Sequence, residues 1–210
     1  MTEDSNNITT NTIITGTHKE FLPNQFGSLF FELLRNPRLA PLDSGKPNVA
    51  FKSKLKNISI KEAFAAFQVV DTEMAKCCLA GILLYHNYLD ESHKICQTIQ
   101  TESGSYWHAL MHRREPDYFN SKYWFNRVGD HPVFADLKRA AAKLAENVNA
   151  LTNIEFLTKQ TKWDPFDFID LCDSTINSGR PCELLCRQIQ LVEWQLLFKY
   201  CFEHAVGIAL

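Results

Sequence analysis

From residue 59 onward, almost every apolar run in this chain is preceded by a helix-start signal, and that punctuation limits the fold to helices. Ser59-x-x-Glu62 is a capping box, whose side chains satisfy backbone amides that a first helical turn leaves free, and it stands ahead of Ala63, Phe64 and Phe67. Asp71 is placed to cap MAKCCLAGILLYH, Asp90 to cap ESHKICQTIQ, and Ser103 or Ser105 to open YWHALMHRR. Pro116 and Asp117 break that helix and begin DYFNSKYWFNRV, which Gly129 ends. His131-Pro132 opens a helix to about Val148, Asp164-Pro165 opens another, and Gly179 stops it. Arg180-Pro181 starts a last helix to about residue 205, with Leu184, Leu185, Ile189, Val192, Leu196, Phe198 and Cys201 on a broad apolar face. No stretch alternates with period two between hairpin turns, so no strand is predicted.

The first part of the chain reads differently. Residues 1–18 are rich in Asn and Thr and lack periodicity, the pattern of a disordered tail. A short helix follows at 24–35, where Phe26, Leu29, Phe30, Leu33 and Leu34 make one stripe. NPRLAPLDSGKPN at 36–48 holds three prolines and a glycine and must be an extended connector. The predicted organisation is a tail at 1–18, an N-terminal helix and connector at 19–58, and a helical domain at 59–210. The fold class is all-α: a single domain of about eight helices built from antiparallel hairpins.

Composition narrows the function more by exclusion than by assignment. The 210 residues suffice for one packed core without a metal or disulfide staple. Lys plus Arg number 22 against 24 Asp plus Glu, so no global field draws the chain to nucleic acid or anionic membrane. No run approaches the ~18 apolar residues of a membrane span, and the polar, acidic N-terminus has no signal-peptide pattern. The seven cysteines sit in amphipathic stretches with no CxxC, which reads as small core side chains in a reducing compartment, hence a cytoplasmic location.

Two predicted hairpins align at an offset of 29 residues: Ala80 with Ala109, Leu89 with Tyr118, Ser92 with Ser121, Cys96 with Phe125, Ile99 with Val128. Ala109, Tyr118, Ser121 and Phe125 give the small, aromatic, small, aromatic order of a tetratricopeptide-type hairpin, with Pro132 one residue from the usual closing proline. Over residues of about 74–132 the chain therefore resembles that family. The resemblance implies antiparallel hairpins with a groove for a protein or peptide. SYWHALMHRREPDYFNSKYWFNRVGDHPVF is also similar to a segment of uncharacterised helical proteins, which implies no activity.

The same offset aligns His108 with Leu79 and His112 with Leu83, so both histidines should point inward. Side chains four apart share a helical face, the spacing of two-histidine metal sites. Asp117 or Glu115 can supply a carboxylate, and His131, His86 or His93 a further imidazole. Such a set suits Zn(II) or Fe(II) and leaves a position open for water. Against this, no Glu lies between the two histidines as in HExxH. Buried imidazoles commonly bond hydroxyls or carbonyls, with Tyr106, Tyr118, Tyr123 and Ser121 as candidate partners here. The sequence favours packing, no cofactor being the expectation and one divalent metal the alternative.

Arg113, Arg114 and Glu115 form the other chemical-looking group: either forks for an anionic ligand, or an Arg–carboxylate network at a helix C-terminus. Phe119 and Trp124 are candidates for outward anchors on a protein partner. No phosphate-binding glycine loop, nucleophile elbow or dinucleotide fingerprint occurs. The leading functional expectation is a helical scaffold or adaptor for a protein or peptide. The alternatives are a small metal- or acid–base-dependent enzyme using His108 and His112, and a binder of a small anion.

Overall fold

The computed structural model describes residues 21–146, 148, 154–178 and 181–210. The tail predicted for 1–18 and the helix stop at Gly179 lie outside the described residues. Among the described residues all regular structure is helical. The α-helices are α1 (Ser28–Leu34), α2 (Lys52–Lys56), α3 (Ile60–Ala63), α4 (Thr72–Tyr85), α5 (Leu89–Cys96), α6 (Glu102–Arg114), α7 (Tyr118–Val128), α8 (Phe134–Ala145), α9 (Phe156–Lys159), α10 (Pro165–Thr175) and α11 (Pro181–Val206). Three of them, α2, α3 and α9, have five residues or fewer. None is long and apolar enough to cross a membrane.

Most of the predicted punctuation is in place. The Ser59 hydroxyl accepts from the Glu62 amide at 3.3 Å and donates to the Glu62 carboxylate at 2.9 Å. Asp71 Oδ1 accepts from Glu73 and Met74, Asp117 Oδ1 from Asn120, and Asp164 Oδ1 from Phe166 and Asp167. Gly129 ends α7 at φ 67°, a left-handed conformation that glycine adopts without a Cβ penalty. Three starts differ. Thr101, not Ser103 or Ser105, caps α6 by accepting from Gly104, because Ser103 is turned to His131. Tyr88 stands at the start of α5, and Asp90 lies in its first turn, where a carboxylate favours the helix dipole. The α8 helix begins at Phe134, because His131 Nδ1 accepts from the Val133 amide at 3.3 Å and holds a turn ahead of it.

The two central hairpins, α4–α5 and α6–α7, repeat one geometry at the 29-residue offset. Ser92 Oγ donates to Ala80 O at 2.9 Å, and Ser121 Oγ to Ala109 O at 2.8 Å. At the turns, the Tyr88 amide donates to Leu83 O and the Asp117 amide to His112 O, each at 2.9 Å. These are six-to-one closures of a Schellman type, satisfying carbonyls that a helix end leaves free. The small residues let the helices approach. Between α4 and α6 the limiting case is Gly81, where a Cβ would lie 2.7 Å from the Trp107 ring.

The α11 helix, 26 residues and roughly 39 Å long, lies along α4 and also packs on α8 and α10. It joins the N-terminal segment to the same core: Phe26 and Phe30 meet Phe198 and Phe202 edge-on at 5.0–6.0 Å. Residues 21–58 therefore share the core of the helices beyond residue 59. The connector at 36–48 has no regular structure, as its prolines predict, and side chains satisfy its carbonyls instead of a ladder. Arg187 donates to Leu39 O and Ala40 O, Gln190 to Pro41 O, Arg114 to Asp43 O, and Asn87 to Lys46 O.

Candidate metal centre

His108 and His112 are one turn apart on α6 and both face the α5–α6 interface, as their alignment with Leu79 and Leu83 predicts. All four positions are buried. The fold then brings in His93 of α5. One nitrogen of each of His93, His108 and His112 lies within 4.8 Å of the other two. The ring centroids stand at 4.7 Å (93–108), 5.3 Å (93–112) and 4.9 Å (108–112). Trp124 of α7 stacks on His108 at 3.9 Å with the planes at 20°. A stack covers a ring face, whereas imidazole nitrogens bond in the ring plane, so it leaves them unsatisfied.

The hydrogen-bond inventory separates this cluster from the other described histidines. His86 bonds Leu33 O at 3.1 Å and Asn48 Nδ2 at 3.0 Å. His131 bonds Ser103 Oγ at 3.0 Å, and His204 bonds Tyr200 O at 2.8 Å. These three have ordinary structural roles, and His86 and His131 do not join the cluster. By contrast, neither nitrogen of buried His108, nor Nδ1 of His112, has a hydrogen-bond partner among the described residues. The partners that a packing role required are engaged elsewhere or absent. Tyr106 donates to Glu193, and Ser121 to Ala109 O. The Tyr118 hydroxyl has no partner of its own among the described residues, and Tyr123 is half exposed. A buried polar group without a partner costs about 1–3 kcal/mol, and native structures rarely leave one so.

The two buried imidazoles are in the protonation state that a metal ligand needs. Burial, reinforced by His112 and His93, lowers the pKa of His108 to about 3. Burial also lowers His112, against the pull of Asp117. Both imidazoles are thus neutral at pH 7, with a lone pair to give. Oxygen donors stand beside them. Glu115 Oε2 lies 3.5 Å and Asp117 Oδ2 3.6 Å from His112 Nδ1. Burial, and to a lesser degree Asp90 and Asp117, raises the Glu115 carboxyl above its usual range despite His93. Two ligands at about 2.1 Å from one ion are at most ~4.2 Å apart, so nitrogens separated by up to 4.8 Å must rotate inward to share an ion. Histidine nitrogen with carboxylate oxygen is a donor set for Zn(II) or Fe(II). Of the further imidazoles the sequence offered to His108, His112 and Asp117, namely His131, His86 and His93, the fold brings in His93. Its signal was only that it sits in the preceding hairpin.

The remaining candidates lie apart from this cluster. Arg113 is fully buried on another face of α6, 2.5 Å from Glu193 of α11, with its guanidinium 4.8 Å from the Phe168 ring. Tyr106 donates to the second Glu193 oxygen at 2.9 Å, and burial, then Glu193, holds that phenol protonated. Arg114 donates to Asp43 O and to Asn87 Oδ1, both at 2.8 Å. Burial, then Arg113, lowers it to about 10, so it remains charged at pH 7. Neither arginine pairs with Glu115. Phe119 is 83% exposed, but Trp124, stacked on His108, is half-buried and faces another way. Tyr123, 51% exposed and one turn after Phe119, shares its surface instead. All seven cysteines are buried thiols.

No family model, curated protein or solved structure matches the chain.

Proposed function

We propose that this helical domain binds one divalent transition metal through His93, His108 and His112, with Glu115 or Asp117 as an oxygen donor. The observation that carries the reading is His108, a buried neutral imidazole with no partner at either nitrogen among the described residues. It sits in a cluster of three, while other histidines of the same chain are bonded. A metal held there would supply Lewis acidity and would lower the pKa of a water bound to it. Glu115, with its raised carboxyl pKa, is placed to hold or accept a proton beside it.

The test is metal content and spectroscopy. Apo protein titrated with Co(II) should take up one equivalent and develop the visible bands of a nitrogen-ligated site. His108→Leu and His112→Leu copy the leucines of the preceding hairpin and keep the helix packed, so they should abolish the bands while the protein stays folded. Absence of uptake by the folded wild-type chain, or bands unchanged in both leucine variants, would leave the cluster as packing alone.

A second reading is a helical adaptor for a protein or peptide, in the manner of tetratricopeptide-type hairpins. Phe119 and Tyr123, exposed one turn apart on α7, support it, because a paired aromatic surface fits an interface better than solvent. Partner capture that is unchanged in a Phe119→Ser/Tyr123→Ser variant counts against it.

A further inference from the structure

Glu115 belongs to two places at once. Its Oε2 lies 3.5 Å from Nδ1 of buried His112, an atom with no hydrogen-bond partner among the described residues. It also lines an open groove of about 770 Å³, inside the roughly 300–1,000 Å³ of small-ligand sites. One side of the groove comes from the connector and the turn after it, the other from the start of α5 and the end of α6. The two sides are tied together beneath it. Asn87 Nδ2 donates to Lys46 O at 2.8 Å, the Tyr88 hydroxyl to Asn48 O at 3.1 Å, and the Asn48 amide to His86 O at 2.9 Å. Gly45, at φ 62°, permits this closure, because a Cβ there would lie 2.9 Å from Asn87 Nδ2. The groove is therefore built into the fold.

Its charges are sorted by side. Lys46 and Lys52 stand on the connector side, and Asp90, Glu91 and Glu115 on the helical side. Neither lysine forms an ion pair with any of these carboxylates, and Asp90 and Glu91 form none at all among the described residues. An anionic ligand would meet three carboxylates here, and a polyamine would meet two ammonium groups. A zwitterion matches both sides. Val49, 77% exposed, adds apolar surface to the same groove beside Pro47 and Tyr88. Such surface suits a ligand that has short side chains between its charged ends.

We infer that this groove is the substrate side of the metal centre and takes a short peptide with free ends. The amino end goes to Asp90 and Glu91, and the terminal carboxylate to Lys46 and Lys52. A single amino acid leaves most of the 770 Å³ empty, whereas two or three residues make a ligand of the size such sites hold. Glu115, shared by the groove and the histidines, is where the peptide meets the metal centre. That last link rests on the metal reading above, and peptide binding itself does not.

Titration calorimetry of the full chain tests this with trialanine, N-acetyl-trialanine and trialanine amide, first without metal and then with one equivalent of Co(II). Trialanine should bind the metal-free chain saturably, with a Kd of about 1 mM or lower. Each capped peptide should bind about tenfold more weakly or worse. Lys46→Gln/Lys52→Gln should weaken trialanine and leave the amide as it is, and Asp90→Asn/Glu91→Gln should weaken trialanine and leave the acetylated peptide as it is. These four side chains are exposed, so the variants keep the core intact. In the Co(II) form trialanine should shift the visible bands. No saturable trialanine binding, equal binding of the capped peptides, or unaltered binding in both double variants overturns the groove assignment. Peptide binding that leaves the Co(II) bands unmoved overturns its link to the metal. Peptide binding by a chain that takes up no Co(II) supports the groove and sinks the metal reading alone.

Discussion

The imidazole of His108 lies flat on the indole of Trp124, 3.9 Å away, with both ring nitrogens unbonded among the described residues. In the preceding hairpin the equivalent position is Leu79, buried and apolar. A histidine here does what leucine does for packing and adds two polar atoms that the described residues leave unsatisfied. In metal-free protein, His108→Leu should therefore raise stability by about 1 kcal/mol, the desolvation of an unpaired group being removed. Urea denaturation of the apo form gives the sign. A loss above 1 kcal/mol would mean that the imidazole has a structural partner.

Acid should unfold the apo protein early. Burial lowers His86 and His131 to about 4 and His108 to about 3, from an ordinary 6.5. Between those values and 6.5 the unfolded chain binds more protons than the folded one. Stability is therefore full above pH 6.5 and declines as pH falls toward 4. Each such imidazole steepens the decline by at most about 1.4 kcal/mol per pH unit. Denaturation midpoints at pH 7.5, 6.0 and 5.0 check this, and the slope should be shallower in His108→Leu.

Glu193 is fully buried between Arg113 and Tyr106, so its two partners are not equally sensitive to its loss. Glu193→Leu leaves a buried guanidinium with no counter-charge and should cost about 3–5 kcal/mol. Arg113→Met combined with Glu193→Leu removes both charges and should recover most of that loss. A double-mutant cycle on the melting free energy measures the coupling, and additive losses would mean that the pair is not a unit.

Gly81 is a packing requirement of α4 against α6. A Cβ there would lie 2.7 Å from two carbons of the Trp107 ring, which is fully buried, and the Gly81 carbonyl accepts from Trp194 Nε1 at 2.8 Å. Gly81→Ala gains helix propensity but should still destabilise by about 1–3 kcal/mol through overpacking. Stability equal to wild type would show that the indole can move aside.

Local signals carried much of this far from the structure. Ser59, Asp71, Asp117 and Asp164 cap where their spacing to the next apolar run places them, because a cap bonds amides two or three residues away. The offset between Ser92 and Ser121 survives as one hydrogen bond made twice, since each hydroxyl reaches a carbonyl twelve residues back across its own hairpin. The start of α6 was less legible. Three hydroxyls compete there: Thr101 caps, and Ser103 is drawn to His131, 28 residues away.

The sequence alone determined that the chain is helical, that residues 36–48 cannot be regular, and that His108 and His112 share an inward face. Those features depend on spacing within one helix or one turn. Only the tertiary structure decided that His93 completes the cluster, that the tyrosines do not reach it, and that Arg113 is spent on Glu193 eighty residues away. Which residue meets an inward side chain depends on how one helix is rotated and shifted against another. That register is set by the whole core, through contacts such as Gly81 with Trp107 and Phe30 with Phe198, and no local pattern encodes it.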